Sequence, residues 1–210
     1  MMQQHLLELH LIMMNYALSR GYSYQRWTQI ANTILFKDSD NVRIHRTRVI
    51  HIYEADYNLA LGLKWRAAIF KSEKCNNLNE GQYGSRPHRN ATDPVLIEEL
   101  QFEISRATRK AFAQTNYDAT SCYDRIVPNL ATLASRKFGV PTEVTALNAS
   151  ALQQAKYRIR TDIGLSPTGY KHSDTHPIYG TGQGSANSPA IWCFVSSLLF
   201  ECYGQLSPPS

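Results

Sequence analysis

Apolar positions return every three or four residues near the start of the chain, with Leu6, Leu9, Met13, Tyr16 and Ala17 on one stripe, which predicts an amphipathic helix to about Arg20. The period then changes. Thr33 to Phe36 is a short β-branched and apolar run, Asp38-Ser-Asp-Asn41 is turn chemistry, and Thr47 to Tyr53 alternates. This predicts a β-hairpin decorated with Lys37, Arg43, Arg46 and Arg48. Helical spacing resumes between Glu54 and Ser72 through Ala55, Leu59, Leu63, Ala67 and Phe70. After a polar loop from Asn76 to Arg89, a second long helix is expected, with Thr92 as N-cap, Pro94 in its first turn and Leu96, Leu100, Ile104 and Ala107 as its buried stripe.

The second half is more mixed. Phe112 to Tyr117 reads as a strand leading directly to Asp118, and Leu130 to Phe138 as a helix stopped by Gly139 and Pro141. Tyr157, Ile159, Thr161 and Ile163 alternate with Arg158, Arg160 and Asp162, as in a half-exposed strand. A further strand is expected near Pro177 to Gly180, and a last helix from Ser188-Pro189 through Phe200. The fold class is α+β, with antiparallel hairpins favoured over a doubly wound sheet.

Composition narrows the classes. With 43% hydrophobic and 19% charged residues over 210 positions, the chain suits a packed domain rather than a disordered one. The longest apolar run, Ile191 to Phe200, falls short of the roughly 20 residues of a membrane span. Nothing resembling a cleavage site follows Leu6 to Met14, so the expectation is an intracellular protein, not secreted and with no membrane partner. The formal charge of +5 permits an anionic partner without demanding one. Cys75, Cys122, Cys193 and Cys202 form no C-x-x-C pair and read as free thiols.

Four segments carry candidate chemistry. In Asn116 to Ile126, Asp118 at the end of a strand is a natural oxygen ligand for magnesium, but spacing alone favours the reading in which Asp118 caps the next helix while Asp124 pairs with Arg125 or solvent. In Tyr179 to Ala190, glycines at 180, 182 and 184 permit close backbone approach to a ligand and Gln183 can project from the loop, or the segment is an ordinary turn before a helix. It is neither a Walker loop nor a dinucleotide fingerprint. Lys37 and Arg48 stand near facing positions of the hairpin, where both heads can meet one phosphate chain. Gln82-Tyr-Gly-Ser-Arg-Pro-His-Arg89 adds two arginines beside an aromatic ring, a pattern suited to a nucleic-acid backbone. His172 and His176 have the separation of helical zinc ligands but fall in a Pro/Gly/Ser-rich stretch without a following glutamate, so zinc is not expected.

The order of the pieces is more specific than any one of them. Arg48-Val-Ile, Gln82-Tyr-Gly-Ser-Arg-Pro, Asp118-x4-Tyr123-Asp124 and Gly182-Gln-Gly-Ser-x-x-Ser-Pro189 together resemble the reverse transcriptases, RNA-directed DNA polymerases of retroelements, in the form found in non-LTR retrotransposons and group II introns. The resemblance runs from about Trp27 to Phe200. Three positions depart from the usual pattern: Ser85 where an aromatic is common, Gly182 in place of proline, and Cys122-Tyr123 in place of a small residue plus phenylalanine. The aromatic ring is kept.

The resemblance implies a right-hand polymerase, with an N-terminal helix and fingers over 1–112 and a partial palm over 113–210. Asp118 would be catalytic and hold both of two magnesium ions, with the Ala119 carbonyl as a further ligand. Lys37, Arg48, Tyr123, Gln183 and Gly184 would bind the incoming nucleotide, Tyr123 as the ring that excludes a 2′-hydroxyl. Arg86 and Arg89 would touch the template. Expected partners are an RNA template, a DNA primer and deoxynucleoside triphosphates, and the expected reaction is nucleotidyl transfer by in-line displacement. The family's Tyr/Phe-x-Asp-Asp element is missing, since no Asp-Asp occurs anywhere in the sequence. That implies a truncated palm, poor stability and no primer extension by this chain alone. The competing expectation is a non-catalytic nucleic-acid-binding remnant of such a polymerase.

Overall fold

The computed structural model describes residues 2–37, 43, 46–114 and 119–206. β1 (Gln29–Phe36) and β2 (Thr47–Ile52) form the expected antiparallel hairpin, with Ala31 opposite Ile52 and Leu35 opposite Arg48. β1 starts earlier than its apolar pattern predicts because its other side pairs in parallel with β3 (Lys156–Thr161), Gln29 lying opposite Lys156. Pairing extends the strand through Gln29, Ala31 and Asn32, whose own β-propensity is weak. Two short strands, β4 (Gly164–Leu165) and β5 (Tyr170–Lys171), both pair antiparallel with β3. The protein is therefore mixed α+β, and one parallel pairing sits among the antiparallel ones.

α-Helices supply most of the remaining regular structure. They are α1 (Met2–Arg20), α2 (Ala55–Lys74), α3 (Thr92–Thr108), the single turn α4 (Cys122–Arg125), α5 (Pro128–Lys137), α6 (Thr142–Gln153) and α7 (Ser188–Leu206). Pro128 opens α5, where a missing N–H costs nothing. Its end is a Schellman turn: the Gly139 N–H donates to the Arg136 carbonyl at 3.0 Å and the Val140 N–H to the Ser135 carbonyl at 3.0 Å. α6 has no counterpart among the predicted elements. Its buried face interleaves Val144, Leu147 and Ala151 with Thr145 and Asn148, so polar residues dilute the apolar stripe. Both polar groups are satisfied inside, Asn148 by the Tyr57 hydroxyl at 3.1 Å and Thr145 by the Arg136 guanidinium at 2.9 Å.

One core links these elements. Trp27, Tyr57, Leu61, Trp65, Leu147, Ile191 and Phe194 are fully buried. Both of these tryptophans place the indole N–H on a partner, Trp27 on Asp56 at 3.0 Å and Trp65 on Ser135 at 3.1 Å, which removes the penalty of burying a lone donor. Residues from both sides of the 112/113 position contribute to this core and to the sheet. No helix among the described residues is long and apolar enough to cross a membrane. Cys75, Cys122, Cys193 and Cys202 form no disulfide.

Several expectations need correction. α1 is helical, but Met14 and Ala17 are its buried residues, while Leu6, Leu9, Met13 and Tyr16 are exposed. Apolar side chains also stand at Leu7, Leu11 and Ile12, so the spacing selects no single face, and packing against α6 chooses one near the helix end. In α3 no residue is buried: Leu96, Leu100 and Ile104 are 60%, 53% and 61% exposed, and Ala107 is exposed. Periodicity shows that a helix has an apolar face but not what covers it. Leu100→Gln is accordingly expected to shift stability by less than about 0.5 kcal/mol, read from a urea midpoint. Thr92 is not the N-cap of α3; its own N–H donates to the Asn90 side chain at 2.8 Å.

The strand expected over Phe112–Tyr117 is not formed at 112–114, and its other residues lie outside the described ones, as do Asp118 and the Asp38–Asn41 turn. No strand forms at Pro177–Gly180 either. The Gly180 N–H donates to the Ile126 carbonyl at 2.9 Å and the Thr181 N–H to the Tyr123 carbonyl at 2.8 Å, so the backbone here is satisfied by the α4 region instead of the sheet.

Candidate functional site

A cleft of about 440 Å³ opens where β2, α4 and the glycine-rich loop before α7 meet. Lys37, Arg48, Asp124 and Gln183 reach it from separate parts of the chain, with His51 and Tyr157 among the other lining residues. The hairpin sets the first two. Lys37 directly follows β1 and donates its N–H to the Arg46 carbonyl at 3.0 Å, while Arg48 lies opposite Leu35. Lys37 and Arg48 are thus diagonal neighbours on one face, close enough for two long side chains to serve one anion. Both are exposed, and among the described residues neither has an acidic partner.

β2 is an edge strand, and the glycine-rich loop covers part of its open side. The His51 N–H donates to the Gln183 carbonyl at 2.6 Å. Gly184, at φ +115°, lies so close that a Cβ there would overlap the His51 carbonyl oxygen, and a Cβ on Gly180 would come within 2.5 Å of the Tyr123 carbonyl oxygen. The glycines therefore admit the protein's own backbone, where the sequence suggested approach to a ligand. The docked loop delivers the Gln183 side chain to the cleft, where its Nε2 donates to Asp124 Oδ2 at 2.9 Å.

Aromatic residues form the floor. Tyr157 stacks on Tyr170 with centroids 5.2 Å apart, and the His51 ring lies 5.3 Å from Tyr157. Burial pushes the Tyr157 phenol up to about 12. Burial also lowers the His51 pKa, only partly offset by the Asp124 carboxylate, so this ring is neutral at pH 7. The cations facing an incoming anion are then Lys37 and Arg48.

The other nominated residues lie elsewhere. Tyr123 is half-buried but does not line the cleft; burial raises its phenol. Gly184 does not line the cleft; its backbone packs on His51, and its carbonyl accepts from Asn58 at 3.2 Å. Ala119 is exposed and outside the cleft lining. Arg89 sits 5.2 Å over the Tyr83 ring.

Arg86 differs most from the loop contact expected of it. Its side chain is 5% exposed and grips Glu73 bidentately at 2.8 and 2.9 Å. It also donates to the carbonyls of Asn79 and Gln82 at 2.8 and 2.9 Å. Gln82 is itself buried, accepting from Ser196 at 2.7 Å. These bonds fasten the 79–86 loop to α2 and α7 and commit four of the guanidinium's five N–H donors to the protein itself.

Among the described residues no three His, Cys, Asp or Glu side chains converge on a metal position, and Asp124 is the only carboxylate lining the cleft. The described residues do not by themselves fit a magnesium site. His172 accepts the Ile178 N–H at 3.0 Å, and His176 lies within 3.1 Å of Thr175, so each has a local hydrogen-bonding role.

Asp124 and His51 were not foreseen as site residues. Asp124 falls inside a nominated block, but its partner is 59 positions away, a separation that no local pattern encodes. A larger groove of about 740 Å³ runs along α2 past Leu59, Leu63 and Phe70, and it is mainly apolar. The chain matches no protein-family model and no curated protein sequence.

Proposed function

We propose that this chain forms the fingers and part of the palm of a reverse transcriptase-like polymerase, and that the cleft holds the triphosphate of an incoming deoxynucleotide. One observation carries the reading: Lys37 and Arg48 of the hairpin and Gln183 of the glycine-rich segment, far apart in the sequence, line one cleft. Lys37 and Arg48 offset the charge of the phosphate chain, Arg48 as a planar donor fork and Lys37 as a point charge. The neutral His51 and the aromatic floor exclude water from one side, which strengthens those contacts. By the resemblance, Asp118 and the Ala119 carbonyl would be the residues to hold magnesium, which would supply charge compensation for the phosphates.

The test is fluorescence anisotropy with a labelled deoxynucleoside triphosphate. Lys37→Ala and Arg48→Ala are each expected to weaken affinity about tenfold, the scale of one charge-assisted hydrogen bond. Affinity unchanged in both variants would refute the reading. Binding of a primer–template duplex with no triphosphate affinity would favour the non-catalytic remnant.

A further inference from the structure

A carboxylate has no hydrogen to donate, so the end of the Gln183 amide that meets Asp124 at 2.9 Å must be its N–H group. That contact settles which way the amide points. Oε1 is left over, and among the described residues no protein donor reaches it. The rest of the arrangement is held as firmly. The Gln183 carbonyl is fixed by the His51 N–H, and the Asp124 N–H is fixed by the Ser121 carbonyl at 3.0 Å. The backbone of Asp124 lies directly under Gly180, where a Cβ would come within 2.6 Å of the Asp124 Cα. Main chain is thus anchored on both sides of a single side-chain hydrogen bond, the arrangement needed to hold a group ready for a ligand. Asp124 forms no ion pair among the described residues, so its carboxylate is not engaged by a neighbouring cation.

We propose that Asp124 is a positioning residue: its carboxylate orients the Gln183 amide so that Oε1 serves as a fixed hydrogen-bond acceptor for a donor group on the ligand held by Lys37 and Arg48. The inference rests on the nucleotide-binding reading of the cleft. It makes the site two-signed, with cations for the phosphates and one neutral acceptor for a hydroxyl or amino group elsewhere on the same molecule. Asp124 acts through geometry and not through charge.

The two possibilities separate by substitution. Asp124→Ala removes the acceptor for Nε2, whereas Asp124→Asn removes the charge and keeps an oxygen that can still accept. With a labelled deoxynucleoside triphosphate as probe, Asp124→Ala and Gln183→Ala are each expected to weaken binding about tenfold, and the double variant to bind no more weakly than Gln183→Ala alone. Asp124→Asn is expected to bind within about twofold of the parent chain, with matched circular dichroism. Additive losses, an unaffected Asp124→Ala, or an Asp124→Asn variant as weak as Asp124→Ala would each overturn the proposal. Binding that depends on Lys37 but is indifferent to Asp124 and Gln183 would overturn it while leaving the nucleotide reading intact. A folded parent chain that binds no triphosphate would overturn both.

Discussion

Replacing Arg86 with alanine is expected to remove about 3 kcal/mol of folding stability, the scale for breaking a buried ion pair by deleting one partner. The cause is specific. Four hydrogen bonds are lost together: two to the Glu73 carboxylate and one each to the Asn79 and Gln82 carbonyls. Arg86→Lys restores the charge but not the planar fork, and should recover only part of the loss. The penalty also depends on pH. The hydrogen bond from Arg86 holds the Glu73 carboxyl below its ordinary value, against a weaker opposing effect of burial. A carboxyl with a depressed folded pKa stabilises the fold above its unfolded-state value, and that contribution disappears as pH falls through the folded value. The Arg86→Ala deficit is therefore expected in full at pH 7 and to shrink below about pH 4. Urea midpoints at the two pH values measure it, with Arg89→Ala as the contrast, since a partly exposed cation–π contact contributes only about 0.5–1 kcal/mol. An unchanged midpoint, together with weakened primer–template binding, would return Arg86 to the template role.

Gly184→Ala is the second large effect. The residue sits at φ +115°, where L side chains are strained whatever the space, and its Cβ would press into the carbonyl of His51. That obstacle is strand backbone and cannot swing aside as a flexible side chain would. The strain is on the order of 3 kcal/mol, and the loop has a way to escape it by lifting from β2. The expected signature is local. The His51 amide, which donates to the Gln183 carbonyl, should exchange its hydrogen much faster, and the cleft should lose Gln183 as a wall. Gly204→Ala is the control. That glycine lies within α7 with nothing near its missing Cβ, so alanine there should stabilise by about 0.5–1 kcal/mol. Equal behaviour of the two variants would show that loop docking does not depend on Gly184.

How much of this was legible in advance varies with the range of the interaction. The β1–β2 hairpin could be read because alternation and turn chemistry act between neighbours, and the same holds for α2, α5 and α7. The extension of β1 back to Gln29 could not, because it comes from pairing with Lys156–Arg160, more than a hundred positions later. α3 was read correctly as a helix and incorrectly as buried. Its stripe of Leu96, Leu100 and Ile104 is real, but burial needs a partner surface, and a period of 3.6 says nothing about one. Arg86 shows the reverse error. A loop arginine between polar residues looks exposed by composition, and only the approach of Glu73 from α2 makes it interior.

The amino-acid order by itself determined the β1–β2 hairpin, the helices α1, α2, α3, α5 and α7, the α+β class and which residues carry cationic, amide or carboxylate chemistry. All of these follow from preferences acting over a few bonds. Only the tertiary structure decided that Lys37, Arg48, Asp124 and Gln183 share a cleft, that Gly184 admits the backbone of β2 and Gly180 that of α4, and that Arg86 is buried against Glu73. The reason is physical: hydrogen bonds and packing act over a few ångströms, and here they join residues up to about 150 positions apart, whose proximity exists only once the chain has folded.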